Sequence, residues 1–184
     1  MTPNNSQTDA ALRRGLIQAL DLPESFMEVK IVEFSETAVA AVEHYGPPEL
    51  EYESSKHLIL WRIRNGISPQ LARTFGVHHT DPARVAPEKH RVDFCVSYNG
   101  TIEPNEEGVV AKVIPRLRCA FARHLGSRRH NATAEYLGRA WLPNSGEVSG
   151  AFPIFFHYVN VGPDVQEHEM ITDVYLPLGP AAKA

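Results

Sequence analysis

The sequence predicts an α+β fold: two βαββ repeats with pseudo-two-fold symmetry, antiparallel sheets with helices on one side, and a central cleft. Three observations predict it. The segment Ala40–Gly46 (AAVEHYG) returns as Ala120–Gly126 (AFARHLG), and the same offset of 80 positions links Trp61 to Trp141, Gly66 to Gly146, Phe75 to Phe155 and Asp93 to Asp173 without a gap. Those are the only two tryptophans in the chain. Each half also carries the same order of local signals. Finally, 184 residues with 43% hydrophobic and 22% charged side chains are enough to build a core without metals or disulfides.

The elements follow in order. Residues 1–26 read as a polar tail containing a short helical pattern at 8–20 (Ala10, Leu12, Leu16, Ile17, Leu20) that Pro23 closes. The domain proper spans 27–180, with repeat one at about 27–98 and repeat two at about 109–178. Met27 to Phe34 and Thr37 to His44 are apolar, Val- and Ile-bearing strands, stopped by Gly46-Pro47-Pro48. Glu49 to Arg64 is a helix with Leu50, Glu53, His57, Leu60 and Arg64 on one stripe, ending before Gly66. Strands Leu71 to His79 and His90 to Tyr98 complete the unit. The second copy runs through strands Val109 to Ile114 and Leu117 to His124, a helix from about Arg128 to Trp141, a terminating turn Leu142–Gly146, and strands Ala151 to Asn160 and Met170 to Leu178. Neither unit can bury a sheet face alone. The expected solution is a pair of small sheets, with a cleft lined by the strand faces that the helices leave uncovered.

A net charge of −4 and pI near 6.1 argue against a chain built to grip nucleic acid directly. The basic run Arg128-Arg129-His130 reads as a solvated face. Cys95 and Cys119, far apart and inside strands, read as reduced, buried thiols. No apolar run approaches the length that spans a bilayer and no signal peptide opens the chain, so the expectation is a cytoplasmic protein without membrane contact. No metal site or cofactor is expected from the nine histidines: the neighbours His78 and His79 point to opposite faces of a strand, and His168-Glu169 lacks the second histidine of a zinc helix.

Among candidate site residues, Trp61 and Trp141 offer large flat surfaces at matching positions, with core packing as the alternative. Phe156 and Tyr158, two apart on a strand, share a face, and Tyr45 precedes a Gly-Pro turn at a cleft rim. Asp93 and Asp173 lie in strands among apolar neighbours and point away from the helix side, as ion-paired structural groups or as cleft polarity. Glu169 and His157 are further polar candidates.

His44-Tyr45-Gly46-Pro47, Phe75-to-Pro82 leading to Arg91-Val92-Asp93, Trp141-to-Gly146, Pro153-to-Asn160 and Thr172-to-Leu178 together resemble the GyrI-like family, the effector-binding domain of Rob-type AraC regulators, MerR-type multidrug regulators and stand-alone gyrase-inhibitory proteins. The resemblance covers nearly everything from Met27 to Leu178. It implies an SHS2 pair that binds small apolar or cationic molecules in a central aromatic cleft, with Tyr45, Trp61, Trp141, Phe156, Tyr158, Asp173, Glu169 and His157 as ligand-binding candidates and no catalytic residue assigned. Family regulators carry the module after a DNA-binding domain. Only 26 residues precede Met27, too few for one, so a sensor related to AraC-family regulators and without its own DNA-reading head is expected. One position departs from the family: Phe156 stands where Phe-Glu-x-Tyr would place a glutamate. The alternatives implied are a hydrolase of cyclopropanoid or other strained electrophiles, which that departure disfavours, and a protein partner of gyrase or of a transcription regulator.

Overall fold

The computed structural model describes residues 28–129 and 131–180, so the helix expected at 8–20 lies outside the described residues. The elements are β1 (Lys30–Phe34), β2 (Thr37–Tyr45), α1 (Glu51–Arg64), β3 (Thr74–His78), β4 (Arg91–Ser97), β5 (Val110–Ile114), β6 (Leu117–Leu125), α2, β7 (Ile154–Tyr158) and β8 (Ile171–Pro177). Helix α2 starts as Ala132–Tyr136, loosens into a π turn over Leu137–Trp141 and resumes as Leu142–Ser145. The expected turn at 142–146 is therefore helical up to Gly146, which ends it at φ 75°. Pro143 has no N–H to continue the helical ladder, and the wider turn stands directly before it.

The repeated His-x-Gly motif ties strand to helix. His44 Nδ1 lies 2.8 Å from Ser54 Oγ and its Nε2 3.1 Å from the Gly46 carbonyl. In the second half, His124 Nδ1 lies 3.2 Å from Thr133 Oγ1 and its Nε2 3.0 Å from the Ser127 carbonyl. Gly46 and Gly126 take positive φ where the chain leaves the sheet.

The two small sheets expected from the sequence are one. All eight strands pair antiparallel in the order β1-β6-β8-β7-β3-β4-β2-β5. Pairing of β3 with β7, Gly76 opposite Phe156, joins the halves and removes two edges that separate sheets would expose. Registers recur 80 positions on: His44–Val92 with His124–Thr172, and Lys30–Phe121 with Val110–Ala41.

Two connectors force the sheet to curl. Ser35-Glu36 joins β1, at one edge, to β2, next to the other edge, and Pro115-Arg116 does the same for β5 and β6. Each link spans at most about 11 Å. Phe34 shows the result: its ring centroid lies 4.8 Å from that of Phe155 and 6.0 Å from that of Phe75. In a flat sheet β3, four strands from β1, would stand about 19 Å away.

The concave face thus fills with Phe34, Phe75, Phe155, Val39, Cys95, Cys119 and Ile114, with Tyr175 stacked 4.9 Å from Phe155. The strand face that the helices leave uncovered, expected to line a cleft, is a packed core because curvature brings its own aromatic side chains together. The helices cover the convex side. Leu58 and Trp61 of α1 pack on Ala40, Val42 and Val96, and Leu137 of α2 packs on Ala120, Ala122 and Val174. The stripe of Leu50, Glu53, His57, Leu60 and Arg64 faces outward, with Leu50 and Leu60 more than half exposed, while Leu58, Trp61 and Arg62 are buried. Burial of the largest apolar side chain, Trp61, sets the helix rotation.

Candidate functional site

The helices sit over the strand pairs β2–β4 and β6–β8 and leave the central strands β3 and β7 as the floor of a trough between them. Strand alternation puts Thr74, Gly76 and His78 from β3, and Ile154, Phe156 and Tyr158 from β7, on this side. The side chains form one cluster. The His78 and Phe156 rings are 4.2 Å apart, Phe156 meets Tyr158 edge to face at 6.5 Å, and the Tyr158 hydroxyl lies 3.5 Å from His78 Nε2. Gly76 makes room for that hydroxyl. Trp141 and Leu142 of α2 and Ile154 and Phe156 of β7 pack against the same buried cluster, Ala120, Ala122, Leu137 and Val174 among it.

Burial governs the electrostatics here. It pushes the His78 imidazole down to about 4, helped by His90 and His79. It pushes the Tyr158 hydroxyl well above its ordinary value, with Glu51 adding to the shift and the Arg128 charge opposing it. At neutral pH both groups are uncharged.

Two arginines reach the floor from opposite walls. Arg62 of α1, 7% exposed, donates from Nη1 to Thr74 Oγ1 at 3.0 Å, and its Nη2 has no partner. The Arg128 guanidinium lies 4.9 Å over the Tyr158 ring and donates from Nη2 to the Asn160 carbonyl, while its Nε is buried without a partner. Thr74 and Tyr158 are register partners, so both cations converge on one strand pair. Burial lowers the pKa of each. The carboxylate at this side, Glu51, is held 2.7 Å from Nε2 of the buried His90, whose Nδ1 lies 3.0 Å from Thr80 Oγ1.

The residues singled out in the sequence divide between faces. Phe156 and Tyr158 are on the trough floor and Trp141 at its wall. Trp61, 4% exposed, is core, edge to face with Tyr98. Tyr45, 62% exposed, is on the opposite sheet face, under the Arg91 guanidinium at 5.1 Å. Asp173 and His157 share that face: Arg123 grips Asp173 at 2.7 and 3.0 Å, and His157 Nδ1 lies 3.7 Å away. Burial pushes the Asp173 carboxyl up, but the His157 and Arg123 contacts outweigh it and hold it below its ordinary value. Glu169 is at the rim, accepting from the Gln166 N–H. Asp93 is buried against Lys112 at 2.7 Å and His79 at 2.9 Å. Sequence reasoning passed over Arg62, whose signal was its place four residues after Leu58 and next to Trp61, and took Arg128 for a solvated face.

Two open grooves, of about 330 and 400 Å³, lie elsewhere, on either side of Arg73, whose guanidinium covers Phe34 and Phe75. Among the described residues no group of three His, Cys, Asp or Glu is placed to hold a metal ion, and no helix is long and apolar enough to cross a membrane.

Comparison with known proteins places this architecture. Residues 27–178 match the GyrI-like small molecule binding domain. The probable transcriptional regulator YgiV of Escherichia coli (strain K12) is 40% identical over 154 residues, covering 83% of this chain and 96% of that protein. A DNA gyrase inhibitor of Erwinia billingiae (strain Eb661) is 28% identical over 159 residues, 84% of this chain and 99% of that protein. The crystal structure of the EcmrR C-terminal domain superposes with a TM-score of 0.64 at 18% identity, over 83% of this chain and 97% of that one, and so shares the fold. With its curled eight-stranded antiparallel sheet, its two convex-side helices and these sequence matches, the chain belongs to the GyrI-like small molecule binding domain family.

Proposed function

We propose that this chain is an effector-binding protein that holds a small apolar or aromatic molecule in the trough between its helices. The observation that carries this reading is the half-buried His78–Phe156–Tyr158 cluster at the junction of the two halves, between the helices rather than beneath either one. We further read the halves as repeats related by a pseudo-two-fold axis through the Gly76–Phe156 pair, and residues 27–180 as one binding unit. The recurrent registers support it. In this reading Phe156, Tyr158 and Trp141 contact the ligand and Trp61 backs the wall. Tyr45, Asp173 and His157 would serve only a ligand on the concave side, and Glu169 one at the rim.

The names of the relatives, a probable transcriptional regulator and a DNA gyrase inhibitor, support a role in which a transcription regulator or gyrase senses the occupied state. Hydrolysis of a strained electrophile would need a free carboxylate at the floor. Phe156 takes that position and Glu51 is engaged by His90. Binding is therefore the reading we adopt. Calorimetric and thermal-unfolding titrations with naphthalene-sized aromatic compounds test it: saturation at about 100 Kd raises stability by about 2.7 kcal/mol, and Tyr158→Ala abolishes the shift. No shift from any apolar or aromatic probe overturns it.

A further inference from the structure

We infer that the trough selects a ligand with an anionic head group, an aromatic or aliphatic carboxylate, over a lipophilic cation. The inference rests on the trough being the binding site and adds the charge of its occupant.

Charge bookkeeping at the floor carries it. Position 156 carries an uncharged phenylalanine, and the charges that reach the floor are the guanidinium groups of Arg62 and Arg128. Each has a buried N–H with no acceptor, and no ion pair among the described residues includes either arginine. A buried donor without an acceptor keeps its desolvation penalty, the more so when charged, so two of them on arginines that contact one strand pair leave a standing demand for an anion. A guanidinium matches a carboxylate in shape as well as charge. The remaining titratable groups do not cancel this demand. His78 is held neutral at the floor, Tyr158 remains protonated, and the Glu51 carboxylate already has the His90 ring. Apolar surface for the rest of the molecule comes from Phe156, Ile154 and Trp141.

The test uses three probes of one shape, 2-naphthoate, 2-naphthamide and 2-naphthyltrimethylammonium, titrated calorimetrically at pH 7. The naphthoate is expected to bind at least tenfold tighter than the amide and about a hundredfold tighter than the ammonium. Arg128→Gln is expected to weaken naphthoate about tenfold and leave the amide unchanged, with Arg128→Lys restoring part of the loss should the Gln variant be unstable. Phe156→Glu is expected to reverse the order in favour of the ammonium. Arg73→Gln, in the grooves away from the trough, is expected to change nothing. Equal affinities for naphthoate and amide, or tighter binding of the ammonium, overturn the inference and leave the binding site standing. No binding by any probe, or loss of naphthoate binding with Arg73→Gln alone, overturns the trough reading as well.

Discussion

The Tyr158 hydroxyl stands where a Cβ at position 76 would need to go: an added methyl at Gly76 would lie 2.5 Å from that oxygen and 3.1 Å from His78 Nε2. A contact that close forces Tyr158 or the strand to move. Gly76→Ala is therefore expected to lower stability by about 1–3 kcal/mol. Removing the hydroxyl relieves the nearest contact, so the same substitution in a Tyr158→Phe background costs less, and chemical unfolding of the four proteins measures the difference.

Acid weakens the fold through His78. Its folded pKa is depressed to about 4, so below about 6.5 the unfolded chain takes up a proton that the folded chain refuses. Stability falls as pH drops from about 6.5 to about 4, on the order of 1–2 kcal/mol for this group after allowing for its partial exposure. His124, also lowered by burial, acts in the same direction. Urea melts between pH 7 and 5 check it: His78→Gln flattens the slope.

Asp93 and Asp173 hold equivalent places 80 positions apart but carry unequal weight. Asp93 is 3% exposed and faces Lys112 and His79, with the Arg91 Nε 3.9 Å away. Arg123, the main partner of Asp173, is half in water. Asp93→Ala leaves partly buried cations behind and is expected to cost about 2–4 kcal/mol; Asp173→Ala lets Arg123 turn to solvent and costs about 1 kcal/mol. Equal losses in equilibrium unfolding would contradict this ranking.

Both thiols are expected to be inert in the folded protein. Burial pushes Cys119 up to about 12 and Cys95 higher still. At pH 8 neither supplies thiolate, so a disulfide reagent titrates no thiol in the native state and two in denaturant.

Much of this structure was legible in the sequence. Apolar runs placed all eight strands, and the offset of 80 identified partners such as His44 and His124. Their shared role, fastening strand to helix, depends on the Ser54 and Thr133 hydroxyls that folding brings to them. Other features depend on tertiary contacts that a one-dimensional pattern does not carry. The stripe containing Leu50 and Leu60 marked a helix without saying which side it buries, and Trp61 decided the rotation of α1. Arg128 carries charge and was read, by that rule, as belonging in water, and Arg62 drew no reading at all. The single curled sheet follows from which strands pair, and periodicity is silent on pairing. Alternation along β7 did place Phe156 and Tyr158 on one side; it could not say that curvature would fill the other.

The short connectors Ser35-Glu36 and Pro115-Arg116 have a consequence for assembly. Each half lends its first strand to its sibling: β1 is zipped to β6 and β5 to β2. This is an exchange of arms within one chain, so neither half owns a complete set of neighbours. A fragment ending near residue 100 would leave β1 without its host strand and β2 with a bare flank, and is expected to stay unfolded or to pair with a second copy of itself. Mixed with the complementary fragment it has a route back to the native sheet, and the two pieces should succeed or fail together.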